Sequence, residues 1–155
     1  MLDLDLSTVK HGVLLFWAAW YTVVFLTNVL DGLKAVGVLG EGWKFASGNW
    51  VFLKETTAIY RTPVWLVAVL FGGIVVWEGL ATWSMWHAFG AFGGVGHQPG
   101  LQAVYVAFAA GLAQFGAFIV ADEVFISYAI AATHMRIVLL MLTSLLAIRL
   151  LPDGF

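Results

Sequence analysis

Between Arg61 and His87 only one residue can ionise, Glu78, and it sits inside the apolar run Thr62–Phe89. The run is long enough to cross a bilayer. On a helix, Glu78 lies about 22 Å along the axis from Pro63, at roughly 1.5 Å per residue. A charge at that depth costs ~2.5–3.5 kcal/mol on insertion scales, so the carboxyl must be neutral, paired or turned to a wet interior. No Lys or Arg stands at its level, which makes protonation the cheaper escape. Trp20, Tyr21, Thr143 and Ser144, counted inward on their own spans, fall at nearly the same depth and offer hydrogen-bond partners to a protonated acid. Two chemistries follow from this intramembrane polar set. Glu78 either joins helices, at ~0.6–2 kcal/mol per bond, or relays a proton or cation.

Other polar residues fall into two groups. Asn28, Asp31, Arg61, Asp122, Glu123, His134 and Arg136 gather at one set of span ends. Three carboxylates against two arginines suit a headgroup, a cation or a partner protein, or they cap helix ends and pair among themselves. His11 and His87 lie near the opposite ends of their spans, with His97 in the adjoining loop, and are the candidate ligands for a metal or a bis-histidine haem. No close His spacing reinforces that haem reading, and His134 belongs to the other side. The absence of cysteine removes disulfides, thiolate nucleophiles, thiolate metal sites and covalently attached haem. No Ser-His-Asp set, phosphate loop or dinucleotide fingerprint occurs.

The elements that must position these residues are membrane helices. A chain that is 62% hydrophobic and 10% charged is not composed like a water-soluble domain. With a net charge of −2 and no basic block, nucleic acid is not an expected partner. The first span is expected over Val9–Leu30, the second over Thr62–Phe89, the third over Leu101–Ala121 and the fourth over Ala131–Leu150. The acidic start has no basic n-region or cleavage site, so the first run reads as a retained helix. Asp31–Thr62 is too charged to span, yet Trp43, Trp50, Phe45 and Phe52 recur at seven-residue spacing. That predicts a short interfacial helix over Trp43–Thr56. Ala109, Ala113, Ala117 and Ala121 form a small-residue stripe suited to close helix packing. Trp77, Trp83 and Trp86 read as packing and an aromatic belt. The fold expected is one all-α domain over residues 1–155, an integral membrane bundle of four transmembrane helices with one short interfacial helix.

The order Asn28-x-x-Asp31, Ala58-Ile59-Tyr60-Arg61-Thr62-Pro63 and Glu78 resembles the bacterial "predicted small integral membrane protein" family. The likeness runs from about Asn28 to Pro152. At the third-span end, Ala121-Asp122-Glu123-Val124-Phe125 stands where the family has a Gly-Gly-Glu-Trp-Phe-like motif, with Asp122 for glycine and Val124 for tryptophan. The resemblance implies a four-span fold in a membrane and no particular reaction.

Three functional readings remain. One is a non-catalytic accessory or assembly subunit, whose partners are the lipid bilayer and another membrane protein or further copies of itself. The second is a proton or cation transport element using Glu78. The third is a haem-binding redox subunit. The connections between spans one and two and between three and four hold Lys34, Lys44, Lys54, Arg61 and Arg136, against Lys10 and Arg149 on the other side. Basic residues favour the cytoplasm, which places both termini of a cell-membrane protein outside it. Cysteines introduced at Ala35 and Gly94 should therefore label from opposite faces of the membrane. Labelling of both from one face would remove this topology.

Overall fold

The computed structural model describes residues 5–94 and 96–152. Among the described residues the fold has five α-helices: α1 (Leu6–Ala35), α2 (Asn49–Thr57), α3 (Val64–Ala91), α4 (Gln98–Val124) and α5 (Tyr128–Leu150). A single 3-10 turn, Ala58–Tyr60, extends α2, and there is no strand among the described residues. The four long helices are each apolar and long enough to cross a membrane. This is the all-α four-span bundle with a short helix between the first and second spans.

Helix ends differ from the expected ones for identifiable reasons. At the start of α1, the Asp5 carboxylate accepts from the Thr8 amide at 2.7 Å, and α1 continues past Leu30 to Ala35, with Lys34 in its last turn. Asn28 and Asp31 thus lie inside the helix rather than at its end. Pro63 is the cap before α3, not its first residue. Pro99 falls in the first turn of α4, where a missing N–H is harmless, so Gln98–Gly100 are helical and not loop. The short helix is Asn49–Thr57, not Trp43–Thr56: Trp43 and Phe45 lie in irregular chain, and the Trp43 indole donates to the Phe45 carbonyl at 3.0 Å. Gly48 sets the boundary, because its φ of 78° is left-handed and only glycine adopts that freely.

Packing runs α1 against α3, α3 against α4 and α4 against α5, while the seam between α1 and α5 is thin. That seam is tied by Trp17, whose indole donates to Ser144 Oγ at 3.0 Å. Trp77 donates to the Ala110 carbonyl at 3.1 Å, and Trp86 to Thr22 Oγ1 at 2.9 Å, so two tryptophans of α3 stitch it to its neighbours. The core lies toward the end that carries the termini and includes Leu14, Trp17, Tyr21, Met85, Phe108 and Met141.

The small-residue stripe does not pack inside. Ala109, Ala113 and Ala117 face outward, and α4 instead buries Ala107, Gly111, Gln114 and Phe115. Gly111 is the close-approach point, because a Cβ there would lie 2.5 Å from the Tyr21 hydroxyl and run into Met141 Cε. Gly111→Ala should lose about 1–3 kcal/mol to overpacking. Gly116→Ala, which meets nothing within 4 Å, serves as the control for helix propensity. Reversible unfolding of both variants in micelles is the measurement, and equal stabilities would refute the contact.

Candidate functional site

The candidate site is built where α1, α2 and α3 meet, away from the core just described. Glu78 is 2% exposed and its neighbour across the α1–α3 interface is Asn28, 1% exposed. The Asn28 Nδ2 amide donates to both carboxyl oxygens, at 2.8 Å each. Its orientation follows from the other end of the amide. Asn28 Oδ1 accepts from Ser47 Oγ at 2.6 Å and from Asn49 Nδ2 at 2.8 Å, which leaves the nitrogen to face the carboxyl. Ser47 and Asn49 are exposed, so a chain of hydrogen bonds leads from the surface to the mid-span carboxyl.

The same residues seat α2. A helix begins with unpaired amides, and Gly48 has no side chain to satisfy one. Asp31 supplies the missing acceptor from α1: its Oδ2 takes the Trp50 amide at 2.7 Å, with Ser47 Oγ 3.2 Å away. The Trp50 ring then packs edge-on against Phe71 of α3, centroids 5.7 Å apart, and Lys54 Nζ stands 5.9 Å from the Trp50 ring centroid.

Below Glu78 a cavity of about 130 Å³ opens between α2, α3, α4 and α5. Phe52, Phe71, Phe118 and Phe125 contribute phenyl rings to its wall, and Asn49 and Thr56 line its α2 side. Its second polar feature is the pair Asp122–His134, with Nδ1 to Oδ2 at 2.7 Å. The His134 ring is steadied between Phe115 and Phe118, centroids 5.8 and 5.2 Å away. No Lys or Arg lines the cavity among the described residues.

The structure groups the sequence candidates differently from the expected sets. Of the hydroxyls expected at Glu78, Tyr21 donates to Met141 Sδ at 3.9 Å, Ser144 receives Trp17, and Thr143 is exposed and bonds its own helix at Leu139. Trp20 packs edge-on against Tyr21, centroids 5.1 Å apart. The reason is register: α1 runs one turn further than expected, so Asn28 rather than Tyr21 meets the carboxyl.

The seven-residue cluster divides. Asn28 and Asp31 serve Glu78 and α2, Asp122 and His134 pair, and Arg61, Glu123 and Arg136 are exposed without an ion pair among the described residues. His11 presents both ring nitrogens to carbonyls, Ser7 and Phe92, each at 2.9 Å. His87 is exposed and stacks on Trp83, so the two rings do not face each other across the bundle. Among the described residues no three His, Asp or Glu side chains group as metal ligands.

Ser47, Asn49, Phe71 and Phe118, which sequence reasoning passed over, complete the site together with Phe52 and Phe125, which it had read only as interfacial and motif residues. Gln114 belongs beside them. It is 1% exposed and its Oε1 has no hydrogen-bond partner among the described residues. It sits on α4 one turn from Gly111 and one from Phe118. An amide in the middle of an apolar span was the readable signal for it. Comparison with known proteins adds nothing to the geometry, since no family model, curated protein or solved structure matches the chain.

The cap that α1 lends to α2 is testable. Asp31→Ala should cost about 1 kcal/mol and speed hydrogen exchange at the amides of the first turn of α2. Asp31→Asn keeps an acceptor oxygen and should retain most of the protection. Equal exchange in all three proteins would mean that Asp31 does not hold α2.

Proposed function

We propose that the chain is a multi-pass protein of the cell membrane, both termini outside the cytoplasm, that binds and moves a proton or small cation through Glu78. The observation that carries this reading is the position of Glu78. It is buried mid-span, yet it borders a cavity shared with the Asp122–His134 pair. Its only hydrogen-bond donor among the described residues is a neutral amide, so its charge has no fixed counter-ion. Such a carboxyl binds a proton or another cation in turn, and intramembrane acids of this kind mark ion pathways. Glue alone would not require a cavity beside it.

Toward the termini, beyond Glu78, the interior is filled by Tyr21, Met85, Phe108 and Met141. A continuous water-filled pore is therefore not the favoured mechanism. A carrier fits better, in which Glu78 is reached from the α2 side and the packed half opens in a second state. The exposed Ser47 and Asn49, bonded to Asn28, provide the contact with solvent on that side.

The accessory-subunit reading keeps one specific support. Ala109, Ala113 and Ala117 face outward and α5 buries only Met141 and Ile148, so a further transmembrane helix could approach α4 closely. Co-purification of one membrane protein in constant ratio from native membranes would favour it.

The transport reading is tested in liposomes containing a pH-sensitive dye. A pH gradient should collapse faster with the wild-type protein than in empty vesicles, and Glu78→Gln should abolish the difference while leaving the helical content intact. Flux that survives Glu78→Gln, or no flux from the wild type, would overturn it.

A further inference from the structure

We infer that the cavity under Glu78 is a binding site for a small aromatic ammonium ion, of the size of benzylammonium. The inference rests on the reading of Glu78 as a cation-binding carboxylate and adds the class of ligand.

Volume limits the body of the ligand. The cavity measures about 130 Å³, close to the ~150 Å³ of an engineered apolar cavity that accepts benzene. The walls then select the character of that body. Phe52, Phe71, Phe118 and Phe125 come from α2, α3, α4 and the turn after α4, and they present carbon over most of the surface. A metal ion such as Ca²⁺ needs six or more oxygen ligands, which a phenyl-lined wall does not supply. A ring packs among these phenyls in offset or edge-on geometry, and their faces also attract cations.

Charge selects the head. Both acidic groups of the cavity face it without Lys or Arg, which disfavours an anion or a carboxylate-bearing zwitterion. The two acids are not equivalent. Asp122 already has His134 Nδ1 at 2.7 Å, whereas among the described residues the Glu78 carboxyl has only the Asn28 amide. An ammonium head therefore belongs at Glu78, and an N⁺–H···O⁻ bond there is of the strong, charge-assisted kind. Asn28 holds the carboxyl from behind. Because Asn28 also bonds Ser47 and Asn49 at the start of α2, the helix that borders the cavity on one side and the carboxyl that borders it on another share one support.

A proton on Glu78 and an ammonium bound to its ionised form exclude each other, so the complex weakens as pH falls. The groups facing Glu78 or sharing its cavity are Tyr21 and Asn28 of α1, with Asp31 behind Ser47, Asn49 of α2, Asp122 of α4 and His134 of α5. Of these, Asp31, Asp122 and His134 also titrate, so the pH response must be assigned by substitution.

The test is isothermal titration calorimetry of the full chain in micelles with three probes of one shape: benzylammonium, benzyl alcohol and benzoate. Benzylammonium should bind at a single saturable site, at least tenfold more tightly than the alcohol, with benzoate weakest. Glu78→Gln should weaken benzylammonium at least tenfold and flatten the dependence of its affinity on pH between 5 and 8. Thr56→Trp, which places an indole in the cavity from the α2 side and leaves Glu78 and Asn28 themselves unsubstituted, should abolish binding of both benzylammonium and benzyl alcohol. It decides the matter should Glu78→Gln fail to fold. Equal affinity for the ammonium and the alcohol would overturn the inference, as would binding that Thr56→Trp leaves intact. Glu78-dependent proton flux without benzylammonium binding would remove the ligand class and leave the transport reading standing. Saturable binding without flux would uphold the site and remove transport.

Discussion

A carboxyl group in the middle of an apolar bundle has to be compensated, and here a single amide does it. Asn28 of α1 offers its nitrogen to both oxygens of Glu78 on α3, and in doing so it fixes how these two helices lie along each other. A slide of one helix by a turn would leave the carboxyl of Glu78 and the Nδ2 group of Asn28 unpaired in a low-dielectric interior, at roughly 1–3 kcal/mol for each unmade bond. Apolar packing alone is far less particular, because one leucine contact along a lipid-facing seam resembles the next. The amide–carboxyl contact is therefore the register pin of the bundle as well as the heart of its candidate site.

From that pin the rest of the polar end follows. The carbonyl oxygen of Asn28 faces Ser47 and Asn49, and Asp31, one turn further, caps α2 through the Trp50 amide. A nine-residue helix is too short to be stable by itself, so its place over the cavity depends on acceptors lent by α1. The phenyl wall closes the space beneath. Structure and chemistry are coupled here through shared atoms: whatever binds Glu78 changes the charge that Asn28 sees, and Asn28 holds the start of α2.

The number, order and approximate limits of the spans were legible because twenty-odd apolar residues in a row have one physical explanation in a protein of this composition. The short helix after α1 was legible too, from aromatic residues beside lysines, although its first turn was misplaced by reading Trp43 and Trp50 as one periodic series across the Gly48 break. What stayed hidden was which face of each helix turns inward. In a soluble protein the periodicity of apolar residues reports that face, but in lipid both faces are apolar. Hence Ala109, Ala113 and Ala117 looked like a packing stripe and are exposed, while Gly111 on the buried face gave no hydropathic sign. Polar residues were the reliable pointers. Glu78, Asn28, Asp122 and His134 were all singled out, but their pairing required the register that only the folded chain supplies.

The turn after α4 has a consequence for how the protein enters the membrane. Ile126 adopts φ 56°, and the Ser127 amide reaches back to the Asp122 carbonyl at 2.8 Å, so α4 stops abruptly and α5 doubles back within three residues. The Asp122–His134 pair spans only 12 residues across this bend. Both polar groups are therefore matched within one helical hairpin, with no other helix needed. Asn28 and Glu78 are 50 residues apart, and the Nδ2 group of Asn28 lacks this acceptor until α3 is made. During biogenesis α1 is the helix with an unmet obligation, and the arrival of α3 discharges it.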